Sequence, residues 1–329
     1  MNCYRVLLVS AFLLGNSVCL AQAPFMFTCA EDTHIPAAKK AQIDSAAMKF
    51  MDAVLASNTT AAHELLSTQG KSNVSFDQMS QAIAAMNHLE PGAPAIQHTY
   101  FITLQGTSPG SILCAADLTK PHESYSVGAA SVPEQAHVIL FSETRNNTLA
   151  LTVWLLLEQD QWKVQSFWMN VATLGNMDSR KLWELGRSQA AKDHMFNASL
   201  LYASAVQASN RGPTFQMALA RSIEEDAAKL KVPTEIQGPP PYSWKENEAT
   251  YKVNNVGPIA IAGKLYVVIV HEVCPWESDA QVDGWNKQLL SYFKQRFPEY
   301  SDVFAGLVAR ALEQGTNRGY GTVEELPSP

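Results

Sequence analysis

Cysteine is scarce in this 329-residue chain, with five in all. Two of them, Cys3 and Cys19, fall at the extreme N-terminus. Cys29, Cys114 and Cys274 remain, an odd count and too few for a disulfide-scaffolded fold. Cys-x-x-Cys and His-Glu-x-x-His are both missing. None of the eight histidines stands three to five residues from another, so spacing points to no zinc site. Glycine-rich nucleotide motifs of the Gly-x-Gly-x-x-Gly and P-loop types are absent, and no cofactor is expected. Basic clusters are absent as well: the longest is Lys39-Lys40, against a formal net charge of −7. That balance excludes nucleic acid and anionic membrane surfaces as natural partners.

What is present begins with an address. Arg5 precedes an apolar run from Val6 to Leu20, and Cys19-Leu20-Ala21 supplies the small residues that a signal peptidase reads. The run is too short for a membrane span, which needs roughly twenty apolar residues. Cys19 is a poor lipidation site, because Asn16 and Val18 stand where Leu and a small residue belong. Pro24 disfavours cutting after Ala23. Residues 1–21 therefore read as a signal peptide, and the mature chain is expected to be exported to the periplasm or beyond. Removal of Arg5 takes the net charge of −7 to −8. An oxidising compartment permits one bridge: either Cys29 pairs with Cys114, both in the first domain, or all three thiols stay free. Sequons at Asn58, Asn73, Asn146 and Asn197 matter only in a eukaryotic host.

Hydrophobic periodicity divides the rest. Ile43, Ala47, Phe50, Met51, Val54 and Leu55 recur at helical spacing within 36–67, with Asn58-Thr59-Thr60 breaking the run before a second helix over Ala61 to Ser67. Ser75 caps a helix reaching Asn87. Six strand-like runs follow: Thr99–Gln105, Ser111–Asp117, Glu123–Ala130, Ala136–Glu143, Thr148–Glu158 and Trp162–Val171. Turn signals lie between them. Helices followed by an antiparallel sheet define an α+β domain.

The N-terminal helix pair, the meander, and the phrases Trp154-Leu155-Leu156-Leu157, Gln161-Trp162-Lys163-Val164 and Phe167-Trp168 resemble an NTF2-like (nuclear-transport-factor-2-like) domain over 36–174. The resemblance implies a cone in which a curved sheet wraps the N-terminal helices. The family includes isomerases, dehydratases and members that only bind. If the cone exists, Tyr100, Tyr125, His137, Phe141, Trp154 and Trp168 would line it, with Trp154 or Trp168 facing inward. Glu143, Asp117 and Glu123 are the only carboxylates available for acid catalysis there.

Residues 178–231 read as a helical connector. Leu182, Leu185, Gly186, Ala198, Tyr202 and Ala205 resemble a single tetratricopeptide repeat, although Trp183 and Gln189 depart from it, and a stable array needs about three copies. A helix is expected over Thr214–Leu230. Pro233 to Pro241 marks a proline-rich linker, placed at 232–244. The remaining 245–329 reads as a small α+β domain, with a hairpin turning at Gly263. Helices are expected over Ala280–Arg296 and Tyr300–Gln314. Gly315–Gly321 reads as a loop, and Gly319–Leu326 as a tail.

Gly106-Thr-Ser108-Pro-Gly110 matches a nucleophile elbow in letters only. A strand follows it, and Pro109 lacks the N–H an oxyanion hole requires. His271 and Cys274 are the remaining catalytic candidates, a thiol near an imidazole. The chain thus reads as a non-catalytic module for a small apolar ligand or a protein partner. The alternative is a hydrolase or isomerase using the cone or the His271–Cys274 region. N-terminal sequencing of the exported protein should begin at Gln22; an intact Met1 on protein in the cytoplasmic fraction would overturn the address.

Overall fold

The computed structural model describes residues 26–107, 110–114, 124–246 and 249–326. Residues 1–21, expected to be a signal peptide, and Ser108, Pro109, Asp117 and Glu123 lie outside the described residues. The chain is α+β, and its antiparallel sheets are open.

The first described element is a strand that the sequence pattern did not announce, β1 (Met26–Glu31). Four helices follow: α1 (Ala37–Leu55), α2 (Thr59–Glu64), α3 (Thr68–Asn73) and α4 (Phe76–Asn87). Helix α1 buries Ile43, Ala47, Phe50, Met51 and Val54, the stripe set by three- and four-residue spacing. Its successors are started by side chains. The Asn58 side chain accepts from the Ala61 N–H, Ser67 from Gly70, and Ser75 from Gln78 in a reciprocal capping box. Each such cap is worth about 1 kcal/mol.

The strand region comprises β2 (Ala95–Gln105), β3 (Ser111–Cys114), β4 (Tyr125–Gly128), β5 (Glu134–Glu143), β6 (Thr148–Glu158) and β7 (Gln161–Val171). They do not form one meander. Strands β1, β2, β5, β6 and β7 make a five-stranded sheet in that order. Strands β3 and β4 leave it for a second layer, where they join a later strand. The cause is visible in β6, Thr-Leu-Ala-Leu-Thr-Val-Trp-Leu-Leu-Leu-Glu, which is apolar on both faces and must be covered on both. Helices α1, α2 and α4 cover one face through Phe50, Met51, Val54, Met79 and Ile83 against Val138, Leu151, Val153, Leu155 and Phe167. The small sheet covers the other through Ile112, Cys114 and Val127 against Tyr100, Ile102 and Ile139. Cys29 and Cys114 form a disulfide with Cα atoms 5.7 Å apart, fastening β1 to β3. Closing a loop with a sequence separation of 85 contributes about 4–5 kcal/mol in the chain-entropy account.

After a short hairpin, β8 (Thr173–Leu174) and β9 (Met177–Asp178), come α5 (Ser179–Ala191) and α6 (Met195–Ser209). They break at Asp193, where φ is 63°. Gly186 lets them close: a Cβ there would stand 2.6 Å from Cδ1 of Tyr202. The helix expected from Thr214 starts later. Residues Phe215–Met217 are strand β10, paired with β4, and only then does α7 (Ala218–Ala227) begin. Phe215, 1% exposed, belongs to the core beneath the small sheet.

The C-terminal sheet runs β11 (Tyr242–Glu246), β12 (Ala249–Ile261), β13 (Lys264–Val273), β14 (Gly306–Glu313) and β15 (Gly319–Glu325). Between β13 and β14 lies α8 (Asp279–Arg296), and β14 returns parallel to β13. The helix expected over Tyr300–Gln314 is therefore corrected to a short 3-10 turn at Pro298–Asp302 followed by a strand. Gly-Leu-Val-Ala-Arg-Ala-Leu-Glu has helical composition, but its neighbours on both sides supply ladder partners, and pairing overrides propensity. Its alanines have a use: Ala309 and Ala311 are fully buried in the clusters that α8 joins through Leu289, Phe293 and Val282. The expected loop and tail over 315–326 likewise contain strand β15.

Residues 232–244 are tethered along much of their length. Glu235 pairs with Arg296, the Trp244 indole donates to the Glu235 carbonyl at 2.8 Å, and Trp244 is 1% exposed. Phe196 of α6, fully buried, stacks on Phe297 at 4.3 Å in the C-terminal core. Gln237 to Pro241 remain exposed, so brief proteolysis should nick there. The two fragments should then co-elute in native gel filtration, because Phe196 and Leu200 are packed with the far side. A C-terminal fragment that elutes alone would refute this packing.

Candidate functional site

The sheet's two faces decide where the aromatic candidates go. Val153, Leu155, Phe167 and Met169 lie against the helices, so Trp154 and Trp168, one position out of phase, point to the opposite face. The expectation that one of them faces inward toward the helices is thus corrected. The space between α1 and the sheet holds packed aliphatic core. Alternation could not distinguish the faces, because Trp154 and Leu156 are as apolar as Val153 and Leu155.

On the small-sheet side the candidates do converge. Tyr100, His137 and Trp154 are cross-strand neighbours in one row. The Tyr100 ring lies 5.3 Å from both Tyr125 and Phe215, and His137 stacks on Trp154 at 5.2 Å with 15° between planes. Phe215, hidden from sequence reading inside an expected helix, closes the group at 5.8 Å from His137. Phe141 sits under the Arg211 guanidinium at 5.7 Å. Arg211 donates to the Ala208 and Asn210 carbonyls, and burial lowers its pKa to about 10. Burial also pushes the Tyr100 phenol far up, with Tyr125 and Glu31 adding to the effect. His137 donates from Nε2 to the Gly128 carbonyl at 2.9 Å, since a carbonyl can only accept. Its Nδ1 is buried without a partner among the described residues. Five of the six candidates are core or partly core; Trp168, 43% exposed, is the exception. Its ring lies against Gly212, whose φ of +100° and close approach exclude a side chain. Trp168 walls a groove of about 790 Å³ between β7, α6 and α7, shared with Asn210, Phe215, Met217, Arg221 and Glu224. Glu143, the remaining described carboxylate candidate, accepts from the Thr148 hydroxyl at 2.9 Å at the sheet's rim.

His271 and Cys274 are brought to one place. Strict alternation would put them on opposite faces, but β13 ends at Val273, and both line a groove of about 280 Å³ with Tyr251, Trp285 and Gln288. His271, 2% exposed, donates from Nε2 to Oδ1 of Asn286 on α8 at 2.6 Å. Asn286 donates to Thr322 at 3.0 Å, Thr322 to Asp283 at 2.8 Å, and Asp283 pairs with Lys287 at 2.6 Å. Burial lowers the His271 pKa, opposed by the Asn286 hydrogen bond. Lys287 and then Thr322 hold the Asp283 carboxyl below its ordinary value. Cys274 is free and exposed. Asn286 had no motif to betray it, because a helix and a strand supply the pair.

Burial lowers the His137 pKa to about 4, against about 6.5 in an unfolded chain. Between those values only the unfolded chain takes up the proton. The neutral imidazole's contribution is therefore complete above about pH 6.5 and lost as pH falls toward 4. Urea unfolding at pH 7 and pH 4 should show wild type losing about 3 kcal/mol more than His137→Gln. Equal losses would rule out a neutral buried His137.

No protein-family model matches the chain, and no curated protein matches its sequence. Function must therefore be argued from the side chains.

Proposed function

We propose that the chain is an exported, non-catalytic module that binds a small apolar ligand or a protein segment. In this reading an NTF2-like unit is followed by one tetratricopeptide-like hairpin and a small α+β unit. Helix α1 lying across the five-stranded sheet supports the first assignment, and the α5–α6 pair closed at Gly186 and Tyr202 supports the second. The observation that carries the function is Trp168: an indole 43% exposed, forming the wall of a groove of about 790 Å³. Removing such a surface from water is favourable at about 25 cal/mol per Å². Arg221 and Glu224 at the rim would orient a polar end. Among the described residues no helix is long and apolar enough to cross a membrane.

A second reading has its own observation. His271 held by Asn286, with an exposed thiol in the same groove, places a nucleophile, a base and an orienting amide on adjacent elements. Hydrolysis of an acyl ester would use Cys274 as nucleophile and His271 as proton acceptor.

Two measurements separate these readings. Trp168→Ala should leave the melting temperature within a few degrees, since an exposed ring leaves no cavity. It should also abolish most of the fluorescence enhancement of an anilinonaphthalene sulfonate probe. Cys274→Ser should not change hydrolysis of p-nitrophenyl acetate. Unchanged dye binding by Trp168→Ala would remove the groove assignment, and lost hydrolysis with unchanged melting in Cys274→Ser would favour the enzyme.

A further inference from the structure

Where β1 ends against β2, two adjacent acidic residues meet a histidine 66 positions along the chain from the second of them. Glu31 pairs with Tyr100 across the two strands, and Asp32 starts the turn that follows. His98 projects from β2 between them: its Nδ1 is 3.2 Å from Oε1 of Glu31 and 3.0 Å from Oδ2 of Asp32. All three donor atoms lie within 4.8 Å of one another. A single Nδ1–H cannot point well at two carboxylates, so hydrogen bonding alone leaves one of them poorly served. Donor atoms about 3 Å apart are, however, the spacing of neighbouring ligands on an ion with bonds of roughly 2.0–2.2 Å.

We infer that Glu31, Asp32 and His98 form a binding site for a divalent transition-metal ion of the zinc or manganese type. One imidazole nitrogen and two carboxylate oxygens suit such ions. Calcium would seek six or more oxygens. The groups around the triad support this assignment. The second Asp32 oxygen, Oδ1, accepts the Thr99 backbone N–H at 2.9 Å, which leaves Oδ2 directed at His98. Thr99 donates its hydroxyl to Asp44 at 2.7 Å, and Asp44 pairs with Lys40 at 2.6 Å. Lys40 is 4.0 Å from Asp32, but Asp44 matches its charge, so the triad keeps two negative charges for a cation. Outer partners of this kind hold ligands in place.

An independent sign lies beneath. The Tyr100 side chain is 1% exposed, its hydroxyl has no hydrogen-bond partner among the described residues, and it lies within electrostatic reach of Tyr125 and Glu31. A buried hydroxyl without a partner is destabilising, because it has given up its bonds to water. Turning Glu31 onto an ion offers its second oxygen to that hydroxyl. The Cys29–Cys114 disulfide, two residues before Glu31, holds the edge strand. His98 and Asp32, 46% and 31% exposed in their side chains, leave the outer positions open to water.

The test is calorimetric titration of the untagged, EDTA-treated chain with Zn²⁺ and with Mn²⁺. One ion per chain is expected, with affinity at least about tenfold weaker in His98→Gln and in Asp32→Asn. Cys274→Ala should bind like wild type, since the His271–Cys274 groove is a separate place. Circular dichroism checks that each variant is folded, and Glu31→Gln serves if one is not. Zn²⁺ binding that survives both ligand substitutions, that vanishes in Cys274→Ala, or that is absent from wild type up to millimolar metal would overturn the site.

Discussion

A five-stranded sheet that is apolar on both faces cannot stand with one side in water, and much of this molecule answers that constraint. The helices α1, α2 and α4 cover one face. The other cover is a three-stranded sheet whose last strand, Phe215–Met217, arrives only after the α5–α6 hairpin. The first core is therefore complete only when the chain has passed through the connector and returned. The same economy joins α6 to the C-terminal sheet, since Phe196 is part of that core. Segments that read as separate domains in one dimension share buried surface in three.

Covering both faces also redistributes chemistry. Aromatic residues that would line an open cone become packing between layers, and some polar groups among them are held by local partners: Gln135 by Ala130 and Trp154, and Nε2 of His137 by Gly128. Trp168 on the edge strand β7 walls a groove, Cys274 is exposed just past the end of β13 beside the buried His271, and Glu31, Asp32 and His98 meet where β1 gives way to a turn. Strand ends free side chains from strict alternation, which is why Cys274 can share a groove with His271.

The C-terminal unit follows the same logic with one change. Its central strand β13 is flanked by an antiparallel and a parallel neighbour, and the parallel connection needs a crossover, supplied by α8. Small residues on β14 admit the helix, and Asn286 from that helix positions His271. A polar network thereby depends on alanines that carry no polarity themselves.

Local pattern was sufficient for features with local causes. The α1 stripe, the Ser75 cap, the turn at Gly263 and the ends of α8 within a residue are set by neighbours a few positions away. Cys29 and Cys114 were nameable as one of two options because few cysteines remained. Tertiary structure alone decided the rest. Gly306–Glu313 and Phe215–Met217 became strands because distant edges offered hydrogen bonds. Trp154 and Trp168 took the face away from the helices because a strand apolar on both sides carries no alternation to read. Glu31, Asp32 and His98 met through the pairing of β1 with β2, and side chains brought together across more than sixty residues leave no spacing in the sequence.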